Sequence, residues 1–76
     1  MNLEKFIEKF VLAFEMTEIS EINADTKFKE IEEWDSLTAL SVIGIIKNEF
    51  NVTISGTELK QLTTVNDLFN LVLARI

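Results

Sequence analysis

The sequence predicts an all-α domain: a small four-helix bundle of three longer helices and one short helix, with a long first loop. Three observations carry this. Apolar residues recur at helical spacing in three stretches, starting near Leu3, Ser36 and Val65. Residues that cap helices stand just before each predicted start: Asn2, Asp35, Ser55 and Thr64. The one alternating stretch, Asn51-Val52-Thr53-Ile54, has no second strand to pair with, so it reads as an extended connector.

The first helix is expected from Leu3 to about Met16, capped by Asn2. Leu3, Phe6, Ile7, Phe10, Val11 and Phe14 form its core stripe, and Glu4, Lys5, Glu8, Leu12 and Glu15 fall on the other side. Residues 17–35 keep no sustained period. Ile19, Ile22, Phe28, Ile31 and Trp34 are spaced as apolar anchors of a long surface loop, with a helical turn near Phe28–Glu32. Asn23, Asp25 and Lys27 resemble the start of a calcium loop, but the sixth-position glycine and a third oxygen ligand are missing. No metal site is expected.

The second helix is expected from Ser36 to Phe50. On a helical wheel Ala39, Leu40, Ile43, Ile46 and Phe50 share the core face. Leu37, Thr38, Ser41, Gly44, Ile45 and Asn48 point outward. That outer face holds no charge and two large apolar residues, the pattern of a docking surface; the alternative is that residues 17–35 fold over it. Ser55-Gly56-Thr57-Glu58 is a capping box, with Ile54 and Leu59 spaced as a hydrophobic staple, and it opens a short helix to about Leu62. Thr64-Val65-Asn66-Asp67 opens the last helix, with Val65, Leu68, Phe69, Val72 and Ile76 as its stripe and Arg75 suited to the C-terminal dipole.

Composition bounds the chemistry. Seventy-six residues make one domain, 1–76, with one small core. Such a domain has roughly 4–11 kcal/mol of stability. There is no cysteine and no histidine, which removes thiol nucleophiles, imidazole ligands and Ser-His-Asp triads. Gly-rich phosphate loops and a G-x-S-x-G elbow are also missing. No catalytic residue is therefore expected. The net charge is −6. Residues 1–35 hold ten acids and four lysines, giving −6, while residues 36–76 hold three acids and three bases, giving zero. Such a chain repels nucleic acid and favours partners with basic patches. Charges at Glu4, Lys5, Glu8 and Lys9 interrupt any signal-peptide core, and the longest apolar run, Val42–Ile46, is too short to span a bilayer. A cytoplasmic monomer is the expectation.

The chemistry concentrates at Trp34-Asp35-Ser36-Leu37, where Glu30, Glu32, Glu33 and Asp35 lead to one serine at a helix start. Capping alone accounts for Asp and Ser in that position. The surrounding pattern says more. An amphipathic first helix, a long loop holding Asp25-Thr26-Lys27-Phe28, an Asp-Ser-Leu helix ending in Glu49-Phe50, a short third helix and a Thr63-Thr64-Val65 entry into the last one together resemble the acyl carrier protein family over the whole chain.

The resemblance implies that Ser36 carries 4′-phosphopantetheine, donated from coenzyme A by a magnesium-dependent phosphopantetheinyl transferase, and that the arm's thiol holds acyl groups as thioesters. It implies that Asp35 helps organise the metal in that complex and that Leu37 enters an apolar notch of the transferase. It also implies an acyl-chain pocket near Leu40, Ile43, Ile46, Ile54, Leu59 and Leu62. Partner docking is expected at Glu30, Glu32, Glu33, Ser41 and Ile45, against acyl-transferring or ligase and synthase enzymes with basic and apolar patches. Fatty-acid carriers commonly place acids along the outer face of the second helix; here Thr38, Ser41, Lys47 and Asn48 stand there and only Glu49 is acidic. Trp34 stands where such carriers usually have a small or aliphatic residue, which is similar to D-alanyl and specialised acyl carriers. The expected function is an acyl carrier in fatty-acid, polyketide or specialised lipid biosynthesis. An aminoacyl or D-alanyl carrier and an unmodified helical interaction module are the alternatives.

Overall fold

A computed structural model describes residues 1–76 as four helices. They are α1 (Leu3–Phe10), α2 (Ser36–Phe50), α3 (Gly56–Gln61) and α4 (Val65–Arg75), with single 3₁₀ turns at Val11–Ala13, Ile19–Glu21 and Phe28–Glu30. The fold is thus the predicted small helical bundle, with α3 as its short member.

Each start is fixed as the capping residues require. Asn2 Oδ1 accepts from the Lys5 N–H at 2.9 Å. Ser55 and Thr64 form reciprocal capping boxes with Glu58 and Asp67. α2 ends at Asn51, the one non-glycine residue with positive φ (55°), whose N–H donates to the Lys47 carbonyl at 3.0 Å. Asparagine visits the left-handed region more readily than most residues, which suits a helix stop.

α1 is shorter than its apolar period. The period predicts a helix to about Met16, but the helix tightens into a 3₁₀ turn after Phe10 and the backbone at Phe14 is extended (φ −111°, ψ 140°). Phe14 still turns inward, against Trp34. The N–H groups freed by this ending find an acceptor far along the chain. Glu33 Oε2 accepts from the Glu15 N–H at 2.9 Å, and Oε1 accepts from the Met16 N–H at 2.8 Å and from the Thr17 hydroxyl at 2.8 Å, with the Thr17 N–H also aimed at it.

Ile22 and Phe28 are buried, and Ile31 and Trp34 half-buried, so the loop is pinned as expected; Ile19 is exposed and is not an anchor. Asn23 and Asp25 build a turn, with Asn23 Oδ1 accepting from the Asp25 N–H at 2.8 Å. Backbone bonds from Val65 to Thr26 (2.9 Å) and from Asn66 to Ala24 (2.9 Å) tie this turn to the start of α4.

The core is fourteen apolar residues, and no polar side chain is buried in it. All six phenylalanines and the single tryptophan join one aromatic chain through it: Phe50 and Phe69 on Phe6, then Phe10, Phe14, Phe28 and Trp34. On α2 the core face is centred on Val42 and Ile46, each 1% exposed, with Ala39, Ile43 and Phe50 half-buried beside them. Leu40, expected in the core, is 65% exposed. At about 100° per residue it stands roughly 120° from Ile46, and the true core direction lies on the Val42 side. Val52 and Ile54 are buried from the extended connector, which forms no strand.

Candidate functional site

Asp35 is the N-cap of α2 (φ −153°, ψ −174°). Its Oδ1 accepts from the Thr38 N–H at 2.8 Å and lies 3.1 Å from the Thr38 hydroxyl, which is equally close to the Glu33 carbonyl. The Thr38 N–H, then the Thr38 hydroxyl, outweigh an opposing desolvation and, with a lesser contribution from the Leu37 N–H, hold the Asp35 carboxyl below its ordinary pKa. Capping is therefore done by Asp35. Ser36, one residue on, is exposed, and its hydroxyl makes no hydrogen bond within the chain. Its own N–H also has no acceptor within the chain. A free hydroxyl stands on the first turn of a fifteen-residue helix, where unpaired N–H groups and the dipole favour an anion.

Beside Ser36 lies a cleft of about 200 Å³ between α2 and α3. Trp34, Ser36, Ala39, Leu40 and Ile43 line it from one side, and Gly56, Leu59 and Lys60 from the other, with Lys29 and Asp35 at its edge. Of the predicted pocket residues, Leu40, Ile43 and Leu59 meet here. Ile46 and Ile54 do not: both are buried in the core and line no part of the cleft. Leu62 packs half-buried against the core and is also outside it. The sequence reading missed Gly56, Lys60 and Lys29. For Gly56 and Lys60 a signal exists: Gly56, Leu59 and Lys60 are spaced i, i+3 and i+4, which puts them on one face of α3. Lys29 bonds the Lys60 carbonyl and its ammonium lies 5.9 Å from the centre of the Phe28 ring, so it straps the loop to α3. Neither Lys29 nor Lys60 has a carboxylate partner.

The acids predicted to face partners separate into two groups. Glu30, Glu32 and Asp35 are exposed. Glu33 is spent inside the molecule on residues 15–17, which corrects its assignment as a docking residue. Desolvation pushes its carboxyl up, but the Thr17 hydroxyl and the three N–H groups together outweigh this and hold it below the ordinary value. Leu37 is 74% exposed and Ser41 exposed, while Ile45 is half-buried. Glu49, the single acid on the outer part of α2, pairs with Lys9 at 3.2 Å. A larger groove of about 550 Å³ runs along Met16, Thr17, Glu21, Ile31, Glu32 and Glu33 and does not include Ser36.

No helix is long and apolar enough to cross a membrane. No curated protein matches the chain in a direct sequence comparison. The family model described as the phosphopantetheine attachment site matches residues 6–72, which takes in α2, α3 and most of α1 and α4 together with Asp35 and Ser36. With a free serine hydroxyl at the head of α2 and a match over nearly all of its length, the chain belongs to the phosphopantetheine-attachment family of carrier domains, whose prosthetic group is 4′-phosphopantetheine.

Proposed function

We propose that Ser36 is the attachment residue and that the chain carries acyl intermediates between enzymes of fatty-acid, polyketide or specialised lipid biosynthesis, without catalysis of its own. The observation that supports this most is the division of labour at the head of α2: Asp35 caps the helix, and the Ser36 hydroxyl is left exposed and unbonded. The residues fit the group. The unpaired Ser36 N–H and the helix dipole suit a phosphodiester, and the adjoining cleft, with Lys29 and Lys60 beside it, suits the cargo. When bound, the prosthetic group supplies the thiol that carries acyl groups as thioesters.

At attachment, Ser36 Oγ forms a bond to the phosphorus that bears the pantetheine of coenzyme A. The diphosphate P–O bond breaks, adenosine 3′,5′-bisphosphate leaves with the electron pair, and the serine proton passes to the transferase. Asp35, its carboxyl held below the ordinary value by Thr38, would help organise the transferase's magnesium, and Leu37 would enter an apolar notch of the transferase. Glu30, Glu32 and Asp35 supply the acidic contact to basic partners, and Leu37, Ser41 and the exposed part of Ile45 supply the apolar and neutral one. The working unit is a cytoplasmic monomer.

A second reading, an aminoacyl or D-alanyl carrier, has one observation in its favour: the cleft beside Ser36 is small and walled by Trp34. Incubation with coenzyme A, magnesium and a broad-specificity transferase tests the proposal. A mass gain of one phosphopantetheine is expected; an unchanged mass favours an unmodified interaction module.

A further inference from the structure

We propose that Trp34 sets the length of cargo the domain can shelter, restricting it to short acyl groups; this rests on attachment at Ser36. Trp34 is two residues from Ser36 and forms the loop-side wall of the cleft. It is not free to swing aside. Its ring packs nearly edge-on to Phe28 at 5.2 Å and against Phe14 at 6.2 Å, and both phenylalanines are buried. Lys29 also bonds the Lys60 carbonyl, which links the loop to α3 across the mouth of the cleft. Inward extension is closed as well, because Ile46 and Ile54 are buried and line no part of the cleft.

The volume then bounds the cargo. A dry cavity of about 150 Å³ takes one benzene ring, six carbons, so a cleft of about 200 Å³ takes roughly six to eight. An acyl chain of about six to eight carbons fills it. Longer chains leave their ends in water, since the indole stands between the cleft and the Phe14–Phe28 cluster. Replacing the indole with a small side chain adds the volume it occupied to the cleft.

The test loads the protein with an acyl series from acetyl to dodecanoyl, using the matching acyl-coenzyme A and a broad-specificity transferase. Intact mass establishes loading first, so a failure of attachment at Ser36 is seen separately from a failure of the length limit. Thermal midpoint and fluorescence are then read on each loaded form. Trp34 is the only tryptophan and there is no tyrosine, so emission reports on this wall alone. In the native chain the midpoint should rise with each added carbon to about six to eight and then level off. The emission should shift to shorter wavelength over the same range. In Trp34→Ala the levelling should move to longer chains by at least two carbons. If that variant does not fold, Trp34→Leu serves, with a smaller displacement expected. A midpoint that climbs without a break to dodecanoyl in the native chain overturns the proposal. So does the same break in the variant, or an emission that does not respond to hexanoyl loading.

Discussion

At the scale of single residues, two positions separate what the fold needs from what a partner needs. Gly44 lies in the middle of α2, and a β-carbon built there meets no atom within 4 Å. The fold has no packing reason for glycine at that point, and a glycine in a helix interior costs about 1 kcal/mol relative to alanine. Gly44→Ala should therefore stabilise the domain by roughly 0.5–1 kcal/mol, read as a higher midpoint in urea. A lower midpoint would mean that the α2 surface has no room for a methyl group at this point. Glu33 is the opposite case. Its carboxylate ends the first helical segment by receiving the N–H groups of residues 15–17. Glu33→Gln keeps the shape but loses the charge-assisted bonds, so its thermal midpoint should fall. A midpoint equal to that of the native chain would show that those N–H groups are satisfied by water instead. Nothing local in the sequence marks this role, because the partners lie sixteen to eighteen residues away.

At the scale of elements, α3 is tied to α4 by a pair the helical periods do not reveal. Arg75 forms a forked ion pair with Glu58 and also donates to the Thr53 carbonyl at 3.0 Å. The Arg75 side chain, then the Ser55 backbone, lower the Glu58 carboxyl to about 2. The sign follows from linkage: a depressed acid contributes stability that is fully present above its unfolded value, 4.5, and is lost as pH falls through its folded value. Glu33, Asp35 and Asp67 are shifted the same way. Acid unfolding should begin below about pH 4.5 and deepen toward pH 2, and Glu58→Gln should flatten that dependence; a native-like pH profile in the variant would contradict the pairing. The aromatic chain makes a second element-scale prediction. Phe6 is fully buried among Phe10, Phe50 and Phe69, so Phe6→Ala should cost about 3–5 kcal/mol. Half-buried Phe50, stacked on Phe6 at 5.6 Å, should cost less, about 2 kcal/mol. Helix starts were legible because capping is local chemistry: Asn2, Asp35, Ser55 and Thr64 all cap as their residue types require. The end of α1 was not, because Phe14 continues the apolar period while its backbone leaves the helix for a contact with Trp34. Leu40 was misplaced for a related reason: two apolar residues, Leu40 and Val42, flank the stripe, and only packing against the other helices decides which faces inward.

At the scale of the whole molecule, the uneven charge divides the proposed docking surface into two separable parts. Glu30 and Glu32 are exposed acids ahead of Ser36, and Leu37 is an exposed apolar residue just after it. Exposed charges steer encounter and are screened by salt, while apolar contacts hold the complex. Reversing Glu30 and Glu32 to Lys should slow modification by a transferase chiefly at low salt, and Leu37→Asp should weaken it at every salt concentration. Equal effects of the charge reversal at low and high salt would contradict the steering role. Leu37 is a cleaner probe than Ile45, whose half-buried side chain also contributes to the fold. The site itself was legible in part. Asp35, Ser36 and Leu37 were marked by type and position, but the cleft wall formed by Gly56, Lys60 and Lys29 depends on how α3 and the loop meet, which no single stretch encodes. All of this turns on one hydroxyl. The most direct test is the intact mass of the native chain and of Ser36→Ala after incubation with coenzyme A and a broad-specificity transferase, with circular dichroism to establish that both are folded. The native chain should gain one phosphopantetheine and the folded variant none; a full gain in folded Ser36→Ala would contradict the assignment.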